Sequence, residues 1–438
     1  MRLIVLALLV PLAACASLPA RFVPAAAGVA FDASGEKGAF AEGLADPASG
    51  RAATPDDPAR IASVSKLVVS IGVMRLVDQG KLDLDSPVGK WLGYPVENPA
   101  FADQPVTLRM LLSHQSSLRD DADYAIPLGG RLRDTLADPR AWDPAHGPNA
   151  HFFTYSNLNF PVIASVMEAA TGERFDRLMQ RLAIDPMKLG ACFNWPACSD
   201  ERVARAVVLT QQGKPVRDDL GGKRPPCPVV PAADGSCDLS SWRPGENGAL
   251  FAPQGGLRIS VRDLARVGRM LLNGGMLDGE RILSSDSVNS MLRAQWQFDG
   301  RNGTTEKGTI CAYGLTAIAL ATGNPGCKDD PGVPPGDWRG HSGEAYGLRS
   351  GLWIDRMNGR GIAYFVTGLD DEPARGRSDY TAAEEAMVAR AVDLFSGETK
   401  QLASSPCRAP GHDRQNSRLP STRPEPAGRS YRDCPTDR

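Results

Sequence analysis

Hardly any net charge separates the two signs in this 438-residue chain, where 49 Lys and Arg against 51 Asp and Glu leave −2. That balance removes the electrostatic footprint of a nucleic-acid binder, so no nucleic-acid partner is expected. No Cys-x-x-Cys occurs and none of the five His lies at ligand spacing from a cysteine, so no metal site is expected. The absence of Gly-x-Ser-x-Gly leaves a Ser-His-Asp triad of the nucleophile-elbow kind unsupported. Internal repeats are missing as well. The apolar run at residues 3–12 is too short to span a bilayer as a folded helix, which needs about 20 residues. What is present is ordinary for a packed protein: a 42% apolar fraction with so small a net charge excludes disorder for the bulk. The 45 Gly and 35 Pro point to many turns.

The early apolar run follows a cation at Arg2 and reads as an export signal over residues 1–14. Its ending, Leu12-Ala13-Ala14-Cys15, resembles the bacterial lipobox, in which the cysteine is lipidated and becomes the mature N-terminus. Cys15 is therefore a candidate lipidation site and residues 15–27 a tether. The expected address is the periplasmic face of a bacterial membrane, reached by export and held through the N-terminal lipid. The eight remaining cysteines are even in number, which suits an oxidising compartment. They fall into sequence-local couples, from which we expect Cys192–Cys198, Cys227–Cys237, Cys311–Cys327 and Cys407–Cys434.

Periodicity divides the rest. Residues 28–32 and 38–42 read as short strands around a polar turn, and residues 348–354 and 362–367 as a β-hairpin across Asn358-Gly359. Helical spacing appears over residues 63–79, 107–113, 161–170, 261–273 and 381–395. Residues 190–246, rich in Pro, Gly and Cys without a sustained period, read as a disulfide-pinned insertion in a main domain spanning 28–400. With six Pro and seven Arg, residues 401–438 read as an irregular tail.

Ser-x-x-Lys occurs twice, so the pattern alone decides nothing. Ser34-Gly35-Glu36-Lys37 lies in a polar turn, where no helix would hold hydroxyl and amine together. Ser63-Val64-Ser65-Lys66 instead opens a helix, so Ser63 and Lys66 share a face and the amine reaches the hydroxyl. A serine in a first turn also has unpaired backbone N–H groups beside it, which favour an oxyanion there. Read without that chemistry, Ser63 is a helix cap and Lys66 a surface lysine. Two further triplets bear on the choice: Tyr155-Ser156-Asn157, the one Tyr-x-Asn among eight tyrosines, and His341-Ser342-Gly343, just before the C-terminal hairpin.

Ser-x-x-Lys, Tyr-x-Asn and His/Lys-Ser/Thr-Gly in this order resemble the serine β-lactamase and penicillin-binding protein family, with its class C β-lactamases, D-alanyl-D-alanine carboxypeptidases and esterase relatives. The likeness extends through residues 76–88, through Thr107-Leu108-Arg109-Met110-Leu111-Leu112-Ser113-His114, and through Gly255-Gly256-Leu257. It implies an α/β (α+β) fold: an antiparallel sheet built from both chain ends and flanked by helices, plus a mostly helical lobe, with the cleft between them. It implies Ser63 as nucleophile, Lys66 with a lowered pKa as its proton acceptor, and Tyr155 as general acid/base in a phenolate-like state. Asn157 would hold Lys66 and the substrate amide. The backbone N–H groups of Ser63 and Glu344 would bind the oxyanion, with His341 among the catalytic residues and Ser342, Gly343 and Glu344 against the substrate.

The family often has Lys where this chain has His341, so a fixed cation for a substrate carboxylate is lost at neutral pH, which shifts the expectation toward esters or amides without that carboxylate. Glu344 adds a carboxylate that would disfavour anionic substrates. Ser117 stands where the family usually shows glycine; His114 reads as a capping or packing residue, and His146 and His151, in a loop near Tyr155, read as structural, with lining of the cleft the alternative. The expected activity is an envelope serine hydrolase acting on a small-molecule or peptide ester or amide through an acyl-enzyme, without metal or cofactor. A β-lactamase or D-alanyl-D-alanine carboxypeptidase is the alternative on the same site, and a non-catalytic ligand-binding lipoprotein the alternative of another class.

Overall fold

The computed structural model describes residues 23–396. The signal at 1–14, Cys15, the tail at 401–438 and the Cys407–Cys434 couple lie outside the described residues. Along the chain, β1 (Ala26–Asp32) and β2 (Glu36–Glu42) form a first hairpin, and β3 (Ala59–Arg60) leads into α1 (Val64–Asp78). Then follow α2 (Leu108–Leu112), α3 (Asn159–Thr171), β4 (Cys192–Phe193), β5 (Leu257–Ile259) and α4 (Val261–Leu272). The C-terminal part holds β6 (Trp296–Gln297), β7 (Ala312–Tyr313), β8 (Ile318–Ala319), β9 (Trp338–Ala345), β10 (Leu348–Asp355), β11 (Arg360–Val366) and α5 (Ala382–Asp393).

Eight strands make one antiparallel sheet in the order β6-β7-β8-β9-β10-β11-β1-β2, so the two chain ends meet where β1 pairs with β11, Ala26 opposite Val366. Alternation along β11 sends Ala363 and Phe365 into one core and Ile362 and Tyr364 into the other. The first core takes Leu264, Val267 and Leu271 of α4, the second Met387, Val388 and Ala391 of α5, so the sheet is covered on both faces. A Thr381–Glu384 capping box starts α5, and Gly172 at φ +70° ends α3.

The nucleophile-bearing helix α1 is buried on nearly every side, which is what an apolar helix running through a lobe requires. Its small polar residues are satisfied internally: the Leu257 N–H donates to Ser65 Oγ at 3.1 Å, and Ser70 Oγ donates to the Leu67 carbonyl at 2.7 Å. A three-stranded sheet, β3-β5-β4, braces its entrance, with Arg60 and Cys192 both opposite Arg258. Disulfides link Cys192–Cys198, Cys227–Cys237 and Cys311–Cys327, the three expected couples within the described residues. The 190–246 stretch is stitched into the body through β4 and through a Val207 N–H to Pro58 carbonyl bond, with Leu209 in the core. Such contacts are too short and non-local to leave a periodic trace. Among the described residues no helix is long and apolar enough to cross a membrane.

Candidate active site

β3 ends at Arg60, and Ala62, at φ +45°, turns the chain into α1, a conformation uncommon for a residue other than glycine. Ser63 follows in helical geometry, and its hydroxyl makes no capping bond. The capping alternative is thereby removed. One turn on, Lys66 is fully buried and its Nζ makes three bonds: to Ser63 Oγ at 2.8 Å, Asn157 Oδ1 at 2.8 Å and the Gln254 carbonyl at 2.9 Å. Burial lowers the amine to about 7, with Asp120 pulling it upward. A neutral amine has two N–H groups and one lone pair. The two carbonyl oxygens take the N–H groups, which leaves the lone pair for the Ser63 hydroxyl proton.

Asn157 is oriented by a residue the sequence reading passed over. Asp120 accepts from Asn157 Nδ2 at 2.8 Å, the Asn157 N–H at 2.9 Å, the Leu158 N–H at 3.0 Å and Ser156 Oγ at 3.0 Å. With Nδ2 committed to the carboxylate, Oδ1 must face Lys66. Asp120 thus takes the two backbone N–H groups that lead into α3, where a carboxylate suits the positive end of the helix. In sequence it is one of three acids in Asp120-Asp121-Ala122-Asp123, with nothing to set it apart.

Tyr155 is half-buried, with its ring 5.0 Å from Lys66 Nζ. Burial holds its hydroxyl well above the ordinary tyrosine range, and the Ser63 hydroxyl is what draws it down. The phenolate-like state is therefore corrected: the proton stays on Tyr155, because the cost of burying the anion outweighs the Ser63 hydrogen bond that favours it. His114 stacks on Tyr155 at 4.4 Å while its Nδ1 accepts the Ser156 N–H at 3.0 Å, so it packs and positions, as expected. His146 stacks on Phe152 and pairs with Asp143. His151 is exposed.

His341 is not brought into hydrogen-bond contact with Ser63, Lys66 or Tyr155. It is buried behind them, its Nε2 on the Tyr313 hydroxyl at 3.0 Å and its Nδ1 against the Ser342 carbonyl. A carbonyl can only accept, so Nδ1 carries the proton and Nε2 takes the Tyr313 proton. Burial, and then Lys66, lower the ring to about 3, which makes it neutral at any working pH. Gly343 brings β9 against the nucleophile: a Cβ there would lie 2.3 Å from the Ile61 carbonyl and 3.1 Å from Ser63 N. Ser342 is half-buried on the same strand. Glu344 lines the cavity, but its carboxylate is paired with Arg349 across the β9–β10 register at 2.8 Å, so the repulsion expected of it is largely answered. The Ser34-Lys37 reading needs a correction too. Lys37 Nζ does reach Ser34 Oγ, at 3.3 Å across the turn, yet the amine is exposed and ion-paired with Asp32 rather than buried against the hydroxyl.

Ser63, Asn157, Gln254 and Glu344 face a cavity of about 1300 Å3. Residues 120–125 form one wall, and much of residues 215–231, the stretch pinned by Cys227–Cys237, forms another. Ser117 keeps the left-handed backbone, φ +69°, where glycine was expected. It offsets the strain by accepting from Asn98 Nδ2 and donating to the His146 carbonyl, each at 2.7 Å. Among the described residues no group of three His, Cys, Asp or Glu is placed to hold a metal ion.

A family model described as Beta-lactamase matches residues 23–387. The chain is similar to penicillin-binding protein 4 of Amycolatopsis lactamdurans, 27% identical over 278 residues, covering 62% of this chain and 66% of that protein. It is similar to esterase EstB of Burkholderia gladioli, 34% identical over 173 residues, covering 35% and 42%. These alignments span at most about two thirds of those relatives' length. Among solved structures it is similar in fold to the D-amino acid amidase of Ochrobactrum anthropi SV3 complexed with D-phenylalanine, with a TM-score of 0.60, 20% identity, and 86% and 96% of the two chains covered.

Proposed function

The chain belongs to the Beta-lactamase family, whose members are serine hydrolases, and from that premise we propose that it cleaves an ester or amide through an acyl-enzyme on Ser63. The observation that carries this reading is the buried Lys66 amine at 2.8 Å from Ser63 Oγ. Neutral Lys66 takes the Ser63 proton as Oγ bonds to the substrate carbonyl carbon. The developing oxyanion is received by the N–H groups of Ser63 and Glu344, a geometry supported by the close approach of β9 at Gly343. As the bond to the leaving group breaks, the proton passes from the Lys66 ammonium through the Tyr155 hydroxyl to the departing oxygen or nitrogen. Water then repeats the sequence, releasing the acid and restoring Ser63. Tyr155 acts as a protonated relay, Asn157 and the Gln254 carbonyl hold Lys66, and His341, Ser342 and Gly343 support the oxyanion strand.

A fluorophosphonate probe should label the wild type and leave Ser63→Ala unlabelled. Equal labelling of both overturns the reading and leaves a binding protein on the same fold. The name of the Amycolatopsis relative supports a second reading, a β-lactamase or D-alanyl-D-alanine carboxypeptidase on the same residues. Nitrocefin turnover or D-alanine release, against hydrolysis of nitrophenyl esters alone, separates the two. Export and anchoring through Cys15 remain part of the proposal, supported by residues 1–15. Loss of detergent-phase partitioning in Cys15→Ala tests it.

A further inference from the structure

Among the described residues several charged side chains around the cavity are engaged, and the buried Arg60 is not. Asp218 is engaged by Arg258 through two bonds, 2.9 and 3.2 Å, and by the Trp195 indole N–H. Asp120 is committed to the start of α3, Asp121 pairs with Arg119, Arg140 with Asp138, and Glu344 with Arg349. Arg60 lines the same cavity three residues before Ser63, is only 7% exposed, and has its Nε and Nη1 buried without a hydrogen-bond partner among the described residues. Its strand neighbour is another cation, Arg258. On the cavity side, Tyr346 stands over the Arg60 guanidinium at 5.2 Å and over that of Arg217 at 5.4 Å, so two guanidiniums flank one ring.

Proteins bury a cation without a partner only rarely, because the lost hydration is not returned. A guanidinium that lines a substrate cavity and leaves N–H groups unused gains a counter-charge when a planar anion enters beside it. We propose that Arg60, assisted by Arg217, forms a carboxylate subsite, and that the substrate is an ester or amide carrying a free carboxylate. This supplies from β3 the cation that His341 cannot supply from β9. A singly charged group fits better than a phosphate dianion, since Asp120, Asp121, Asp123 and Asp219 also line the walls. The inference rests on the serine hydrolase reading for its kinetic assay, but not for its binding assay.

Two esters of similar length, 4-nitrophenyl hydrogen glutarate and 4-nitrophenyl pentanoate, provide the kinetic test. The wild-type ratio of kcat/KM, acid over neutral, should be at least about tenfold, and Arg60→Gln should lower that ratio at least about tenfold, with Arg60→Lys recovering part of it. Independently of turnover, glutarate but not glutaramide should raise the Tm of both the wild type and Ser63→Ala, and the shift should shrink with added salt. Arg60→Met, which removes an uncompensated buried charge, should fold with a Tm no lower than that of the wild type and give no glutarate shift. A ratio unchanged in Arg60→Gln, a lowered Tm in Arg60→Met, or no glutarate shift in the wild type each overturns the subsite. Absence of any ester turnover together with a glutarate shift would sink the hydrolase reading and leave the subsite standing.

Discussion

Substituting Asp120 separates two effects that a purely structural residue would not separate. Its carboxylate sits behind the Asn157 amide, 2.8 Å from Nδ2, while Oδ1 of the same amide is 2.8 Å from Lys66 Nζ. The two charges are thus roughly 7 Å apart, which at an effective dielectric of about 20 amounts to roughly 2 kcal/mol. Asp120 is exposed, and halving for solvent screening leaves about 1 kcal/mol, just under one pH unit. The sign follows from the ionisation: Asp120 stabilises the ammonium, so its removal lowers the pKa of Lys66 below about 7. Catalysis needs the amine neutral, so the rising limb of kcat/KM against pH, centred near 7 in the wild type, should move to about 6 in Asp120→Asn. The plateau should fall about 10- to 100-fold, because an amide at 120 can no longer accept all four bonds and Asn157 loses its fixed orientation. The assay follows 4-nitrophenyl ester hydrolysis from pH 5 to 9 at the isosbestic wavelength of nitrophenol. A limb that stays in place, or moves to higher pH, refutes the assignment of Lys66 as the base. A limb that moves down in low salt and much less in high salt supports it.

Two other perturbations address the remaining groups. Tyr155→Phe should lower kcat by about 10² to 10³ while leaving the Lys66 limb in place, because the phenol keeps its proton across the assayed range; a wild-type limb that vanishes in the variant contradicts the protonated relay. In Gly343→Ala the added Cβ would fall 2.3 Å from the Ile61 carbonyl and 2.5 Å from Ser350 Oγ, so β9 must retreat from Ser63 N. We expect a loss of at least about 10² in kcat and about 1 to 3 kcal/mol of stability, against no change in Gly35→Ala, whose Cβ meets nothing within 4 Å.

The elements legible in the sequence were those whose period or capping is local. Both hairpins, α1, α3 with Gly172 behind it, and the helix capped by Thr381 all follow from spacing and termini. Three disulfide couples were legible because short loops close readily. The β3-β5-β4 sheet was not, since strands of two or three residues have no period and exist only through partners far along the chain. The site divides in the same way. Ser63 and Lys66 lie a turn apart on one helix, whereas Asp120 reaches Asn157 across 37 residues and looks like any acid in its run. The charge of Tyr155 was misread for a related reason: a side chain's type is written in the sequence, but its desolvation is a property of the assembled lobes.

That dependence bears on how the activity is protected. The three partners of Lys66 Nζ come from the residue that opens α1, from the segment before α3, and from the turn before β5. The low pKa exists only while all three are docked and water is excluded. If the segment at Asn157 or Gln254 opens, the amine is rehydrated and returns toward its ordinary value near 10, where it is protonated at pH 7 and cannot accept from Ser63. The nucleophile is therefore active only in the closed fold, and its reactivity reports on the packing of the helical lobe. Fluorophosphonate labelling should accordingly disappear at a lower urea concentration than the far-UV signal of the sheet, since local opening precedes global unfolding. Coincident loss of the two signals would mean that the amine is desolvated by the fold as a single cooperative unit rather than by these docked segments.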